Sequence, residues 1–482
     1  MKRKVWGFSM MVTAMVLAVS GVALAATTVS GVPDTGSVQT DGQVSAVAVS
    51  GGKVYLGGSF THVNGVVRNH LAAVDTATGQ LASWDPNANE AVRALAVSAD
   101  GTRVYAGGTF TSVGGASRNR LAAIDASSGA VDTSWTPRAN DGVRAIAVAG
   151  NDVYLGGRFT AINGQPRTRL ALVGAAAGTL NTNWTPSAND VVRTLEVSAD
   201  DTHLYAGGDF TSANSSSGPY LAALDRTTGA TYGPWSQPTT PNGTVFDLRE
   251  SGGQLYSAEG GPGGALTAYD PSTGRSLWRK SADGDVQALT VLGGEVYAGG
   301  HFLSFSGYAR QMLAAVDATT GTTDPNWAPS AYGANCSSVW TPDPCSDFVW
   351  AMEADPSAGR LYAGGDFRKV SGTPHAGFAQ FSYPPAGSDT TPPETTIDSG
   401  PSGIVGTNSA SFAFSSSEAG SRFECRLDGV PYSQCSSPKS FAGLASGTHT
   451  FEVRATDTAG NTDSTSASRT WKVQLSSNTS GN

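Results

Sequence analysis

The residues able to do chemistry are few and scattered. Six histidines, His62, His70, His203, His301, His375 and His449, fall at unrelated positions and form no His-x-x-x-His pair. No Cys-x-x-Cys spacing occurs either, so the sequence supports no metal centre. No Gly-x-Ser-x-Gly nucleophile elbow is present. The glycine-rich stretches end strands and do not open helices, which excludes phosphate loops. These patterns predict no catalytic residue, no metal and no cofactor. Three arginines stand out instead. Arg93, Arg144 and Arg193 each follow a carboxylate by three residues: Glu90, Asp141 and Asp190.

The elements that must position them are repeats. One phrase is written seven times: an apolar strand, Val/Leu-Tyr-x-Gly-Gly-x-Phe, Leu-Ala-Ala-x-Asp, then Trp-x-Pro. Its marker tyrosines are Tyr55, Tyr105, Tyr154, Tyr205, Tyr256, Tyr297 and Tyr362. A period near fifty residues, made only of strand and turn signals, predicts propeller blades of four antiparallel strands. The glycine and alanine pairs suit close approach of backbones near the axis. Phe60, Phe110, Phe159 and Phe210 suit the widening wedge between blades. The Asp-x-x-x-Gly segments, such as Asp75 to Gly79, read as hairpin turns. Repeat seven stops near Phe381, so its outer strand is expected from the N-terminal stretch around Val32 to Thr40. That pairing would remove the exposed edges.

In such a ring the residues opening the first strands meet at one mouth of the axial channel. They are Ser45, Arg93, Arg144, Arg193, Phe246, Gln287 and Trp350. A ring basic on one side and aromatic on the other suits an anionic or sugar ligand. Alternatively, the arginines pair with their preceding carboxylates and tie blades together, leaving recognition to the aromatic half. Repeat six carries an insert, Tyr332 to Asp347, with Cys336, Trp340 and Cys345. Tyr332, Trp340 and Trp350, with the three arginines, are the expected ligand-binding residues.

The four cysteines form two local pairs, Cys336 with Cys345 and Cys425 with Cys435, and are expected as two disulfides of an exported chain. Residues 1–25 read as a signal peptide: Lys2, Arg3 and Lys4, an apolar run to Leu24, and the cleavage motif Ala23-Leu24-Ala25. No later segment is apolar enough to span a bilayer. The expected location is therefore extracellular, either secreted or at the cell surface. The formal charge of −9 disfavours a nucleic-acid partner. Residues 26–383 are assigned to the propeller, 384–393 to a proline-rich linker, 394–475 to a β-sandwich of short alternating strands, and 476–482 to a polar tail. Asp457 to Asp463 suits either a tight turn or calcium binding through side-chain oxygens.

The phrase from Tyr55 to Ala72, with Asp132-Thr133-Ser134-Trp135, resembles the bacterial delta-60-type tandem repeats over roughly residues 40–381. That resemblance implies a propeller in an exported, multi-domain bacterial protein and assigns no activity. Ala268-Tyr269-Asp270-Pro271-Ser272-Thr273-Gly274 to Trp278 in repeat five is similar to the quinoprotein propeller repeat, found in quinone-dependent dehydrogenases and in cofactor-free scaffolds. Thr391-Pro392-Pro393-Glu394, Phe423-Glu424-Cys425 and Ala455 to Asp463 resemble bacterial immunoglobulin-like modules, which act as spacers or adhesion units. The expected fold class is all-β, a seven-bladed β-propeller followed by an immunoglobulin-like β-sandwich. The expected function is non-catalytic binding or adhesion to an extracellular glycan or protein. The rivals are an exported propeller enzyme, glycoside-active or quinone-dependent, and a structural spacer.

Overall fold

Valine, alanine and glycine crowd both faces of the repeat strands, and β-branched and aromatic residues favour the pleated conformation. The computed structural model describes residues 29–235, 241, 243–261, 263–332, 348–382, 392–418, 421–456 and 462–475. The expected signal segment, Cys336, Trp340 and Cys345, most of the expected linker, residues 457–461 and the expected polar tail lie outside them. Seven opening strands recur: Val44–Ser50, Val92–Val97, Val143–Ala149, Val192–Val197, Val245–Ser251, Val286–Leu292 and Val349–Asp355. Each pairs antiparallel with its tyrosine strand, which pairs with the Leu-Ala-Ala strand or its counterpart. Successive opening strands pack side by side, and the first packs against the last. The sheets therefore close a ring around an axis, and the chain forms an all-β propeller.

The recurring residues are the contacts between sheets. A Cβ on Gly57 would stand 2.7 Å from Val92 Cγ1 of the next sheet, and one on Gly364 would stand 2.6 Å from Val44 Cγ1, across the closure. Only glycine permits that approach. Six of the seven tyrosines pack on the tryptophan of their own repeat, as in Tyr55–Trp84 at 5.1 Å between ring centroids, and Tyr362 stacks on Phe378 instead. Both rings of the first pair then reach the next sheet: Tyr55 donates to Ala126 O at 2.9 Å, and Trp84 Nε1 donates to Asp125 O at 2.9 Å. Phe60, Phe110, Phe159 and Phe210 are fully buried. Asp75 accepts from Thr78 N, as a hairpin turn requires.

The expectation of four strands per repeat needs correction. Among the described residues, a full outer strand occurs in repeat five, Ser276–Ser281. Five other repeats keep a single bridge there, such as Val74 with Leu81. The reason lies in Trp-x-Pro. In repeats one, two, three and six that proline cannot donate to a ladder, whereas repeat five lacks it and keeps the strand, with Trp278 still packed on Tyr256. The two ends of the propeller do pair. Ser30 N donates to Ser382 O at 2.9 Å, Asp34 N to Gln380 O at 2.7 Å and Thr40 N to Ala376 O at 2.8 Å. Asp34 also accepts from Gln380 Nε2 and Ser382 Oγ, at 2.6 and 2.5 Å.

The described residues between 395 and 473 form two facing sheets. Their shared core holds Phe412, Phe451, Trp471 and Val453, with Phe412 stacked on Phe451 at 4.3 Å. The expected disulfide Cys425–Cys435 is present and joins neighbouring strands of one sheet.

Candidate functional site

A β-bulge recurs where each opening strand begins. In all seven strands the register shifts between the first and third residues. A bulge places one unpaired residue on the strand and re-aims its side chain. Here that residue is Ser45, Arg93, Arg144, Arg193, Phe246, Gln287 or Trp350. With Gln43, these side chains line a cavity of about 360 Å³ at one end of the axial channel. The repeats make these positions equivalent, and the bulge turns them into the lumen.

The arginines form a contiguous arc, with the aromatic residues following. Arg93 donates to Gln43 Oε1 at 3.0 Å and Ser45 Oγ at 3.1 Å, both neutral. Arg193 Nε donates to Asp209 Oδ1 at 2.7 Å, and its guanidinium lies 5.1 Å from the Phe246 ring centroid. Arg144 has no side-chain hydrogen bond or ion pair among the described residues. Burial, then the charges of Arg93 and Arg193, push its pKa below the ordinary value. On the other side, Trp350 packs on Phe348 at 4.7 Å, and Phe348 on His301 at 4.5 Å. Trp350 Nε1 and Gln287 Oε1 are buried and have no partner among the described residues.

Pairing between each arginine and its preceding carboxylate is overturned. Asp141 accepts from Gly142 N at 2.6 Å, and Asp190 from Val191 N at 2.7 Å. These carboxylates cap their own backbone in the connecting loop, while the bulge carries the arginines inward. Tyr332 pairs through its backbone with Lys369 and is not among the cavity-lining residues.

A second charged layer lies deeper in the lumen and was not singled out in the sequence. Arg249 Nη2 bonds Glu353 Oε2 at 2.8 Å, joining sheets five and seven across the lumen. Glu353 holds the Arg249 guanidinium above its ordinary pKa. Glu196 accepts from Glu250 N at 3.0 Å, and burial pushes its pKa up to about 7. Asp247 accepts from Leu289 N at 3.0 Å and Leu248 N at 2.9 Å, and burial pushes its pKa up to about 6. The available signal was a charge on an axial strand: Glu196 and Arg249 stand where repeats two and three carry Ala96 and Ala147. Repeat five hides a further carboxylate. Glu259 replaces the second glycine, is fully buried, and bonds Ser257 Oγ, Tyr269 OH and Arg279. Among the described residues, no group of three or more His, Cys, Asp or Glu side chains could hold a metal ion. No helix among them is long and apolar enough to cross a membrane.

A family profile described as outer membrane protein assembly factor BamB (PQQ_2) matches residues 35–237 and 217–343. Together the two matches span repeats one to six. No curated protein sequence matches the chain. Among solved structures, it is similar to the WD40 β-propeller domain of Doa1, at 12% identity and TM-score 0.49, covering 73% of this chain and 96% of that one. The extracellular domain of BT4673 from B. thetaiotaomicron matches at 10% identity and TM-score 0.44, covering 93% of this chain and 58% of that one. The computationally designed protein Ika8 matches at 14% identity and TM-score 0.42, covering 72% of this chain and 98% of that one.

Proposed function

The chain belongs to the PQQ_2 family (outer membrane protein assembly factor BamB), and we propose that it is an exported, non-catalytic binding protein. In this reading a seven-bladed propeller of delta-60-type repeats takes a glycan or protein ligand at the mouth of its channel, and an immunoglobulin-like module follows as spacer or adhesion unit. One observation carries it: seven bulge side chains converge on a single cavity, and its arginine arc includes Arg144, which is unpaired among the described residues. Arg144 is partly buried on the cavity wall, with no carboxylate bonded to it among the described residues. The disulfide Cys425–Cys435 supports an oxidising compartment and so the extracellular location.

The test is an array of glycans and cell-wall polysaccharides, probed with the full chain and with Trp350→Ala. Binding by the parent that the variant loses supports recognition at the mouth. Equal binding by both would move the site elsewhere, and no binding by either would favour the spacer reading. A second reading, a glycoside-active enzyme, draws on Glu196 and Asp247, two carboxylates with raised pKa in one channel. Both already accept backbone N–H groups from the following sheet, so we rank binding first.

A further inference from the structure

Resting on that reading, we propose that the mouth cavity recognises an acidic sugar, with the carboxylate of a hexuronate unit on the arginine arc and the sugar ring against Trp350. Charge accounting at the mouth leads there. Three guanidinium groups, on Arg93, Arg144 and Arg193, face one carboxylate partner, Asp209. The partners of Arg93 are neutral, and Arg144 has none among the described residues. This is a local excess of positive charge on a chain whose net charge is −9. Low-dielectric walls focus such a field and raise the local concentration of anions.

The second layer sets how deep the anion goes. Glu353, Asp247 and Glu196 lie below the arginines, where Arg249, the cation of that layer among the described residues, already bonds Glu353. A carboxylate is attracted at the mouth and repelled at the floor, so it stays in the plane of the arginine arc. The opposite wall decides what the acid is attached to. Trp350 and Phe246 line it with aromatic rings, and Gln287, between them in the ring, adds an amide. A sugar ring presents C–H groups to an aromatic face and hydroxyls to an amide. An inorganic anion would use the arginines and leave that wall idle. Guanidinium geometry suits a carboxylate, which it can bind with two parallel hydrogen bonds.

The experiment is calorimetric titration of the full chain with three probes: a galacturonate trisaccharide, its methyl ester, and inorganic phosphate as competitor. The proteins are the parent, Arg144→Gln and Trp350→Ala. Arg144 is the chosen arginine because its replacement breaks no ion pair among the described residues, and thermal unfolding checks that Arg144→Gln keeps the parent's melting temperature. The expected result is acid binding at least about tenfold tighter than ester binding, the scale of one charged hydrogen bond. Arg144→Gln should abolish that difference, Trp350→Ala should weaken both sugars, and phosphate should compete poorly. Equal binding of acid and ester, or no effect of Arg144→Gln, overturns the acidic class and leaves a sugar site at the mouth. Phosphate competing as well as the acid overturns the sugar. Failure of both sugars to bind removes the proposal, and only the glycan array then decides the broader reading.

Discussion

Replacing Glu196 by Gln should stabilise the ring at alkaline pH and leave it unchanged in acid. Glu196 is pushed from the ordinary 4.5 to about 7, first by burial, with the nearby Asp247 and Glu353 charges adding to the effect and Arg249 opposing it. Its folded form holds the proton more tightly than its unfolded form. Below about pH 4.5 both forms are protonated, and the group costs nothing. Between 4.5 and 7 stability falls as pH rises, and above 7 the full cost persists. That span corresponds to about 3 kcal/mol at most, and access of water to the lumen reduces it to about 2 kcal/mol. Glutamine keeps an acceptor for Glu250 N, and Arg249 keeps Glu353. We expect Glu196→Gln to be about 2 kcal/mol more stable than the parent at pH 8 and within about 0.5 kcal/mol at pH 4. Urea unfolding followed by tryptophan fluorescence at the two pH values measures this. A variant that is less stable at pH 8, or that shifts equally at both pH values, refutes the account of a strained buried carboxylate.

Three further outcomes follow from the packing. Trp84→Phe should cost about 1 kcal/mol more than Trp184→Phe in denaturant titrations, because Trp84 Nε1 donates to Asp125 O whereas Trp184 Nε1 has no partner among the described residues. Asp34→Ala should lower the stability of the whole propeller by about 2 kcal/mol, since it strips the acceptor from Gln380 and Ser382 at the closure. Loss confined to one blade by hydrogen exchange would contradict a closed ring. Cys425→Ala with Cys435→Ala opens a link between residues ten apart and should cost the C-terminal sheets about 3 kcal/mol. Calorimetry should show the propeller transition unmoved.

The repeats, their strand class and the residues that lock them are legible along the chain. Tyrosine, tryptophan and the glycine pairs recur because every sheet solves the same packing problem against its neighbour. The repeat pattern also marked Ser45, Arg93, Arg144, Arg193, Phe246, Gln287 and Trp350 as one set, since equivalent positions in a closed ring share a layer around the axis. What those residues bond depends on how the closed ring brings them together. The carboxylate three residues before each arginine looks like its partner along the chain, yet the bulge separates them, sending the arginine into the lumen and leaving Asp141 and Asp190 on their own backbone. The outer strand likewise yields, in four repeats, to the proline of Trp-x-Pro. Arg249 and Glu353 stand 104 residues apart. They meet only because ring closure makes a lumen, and no local pattern encodes which charges will face each other across it.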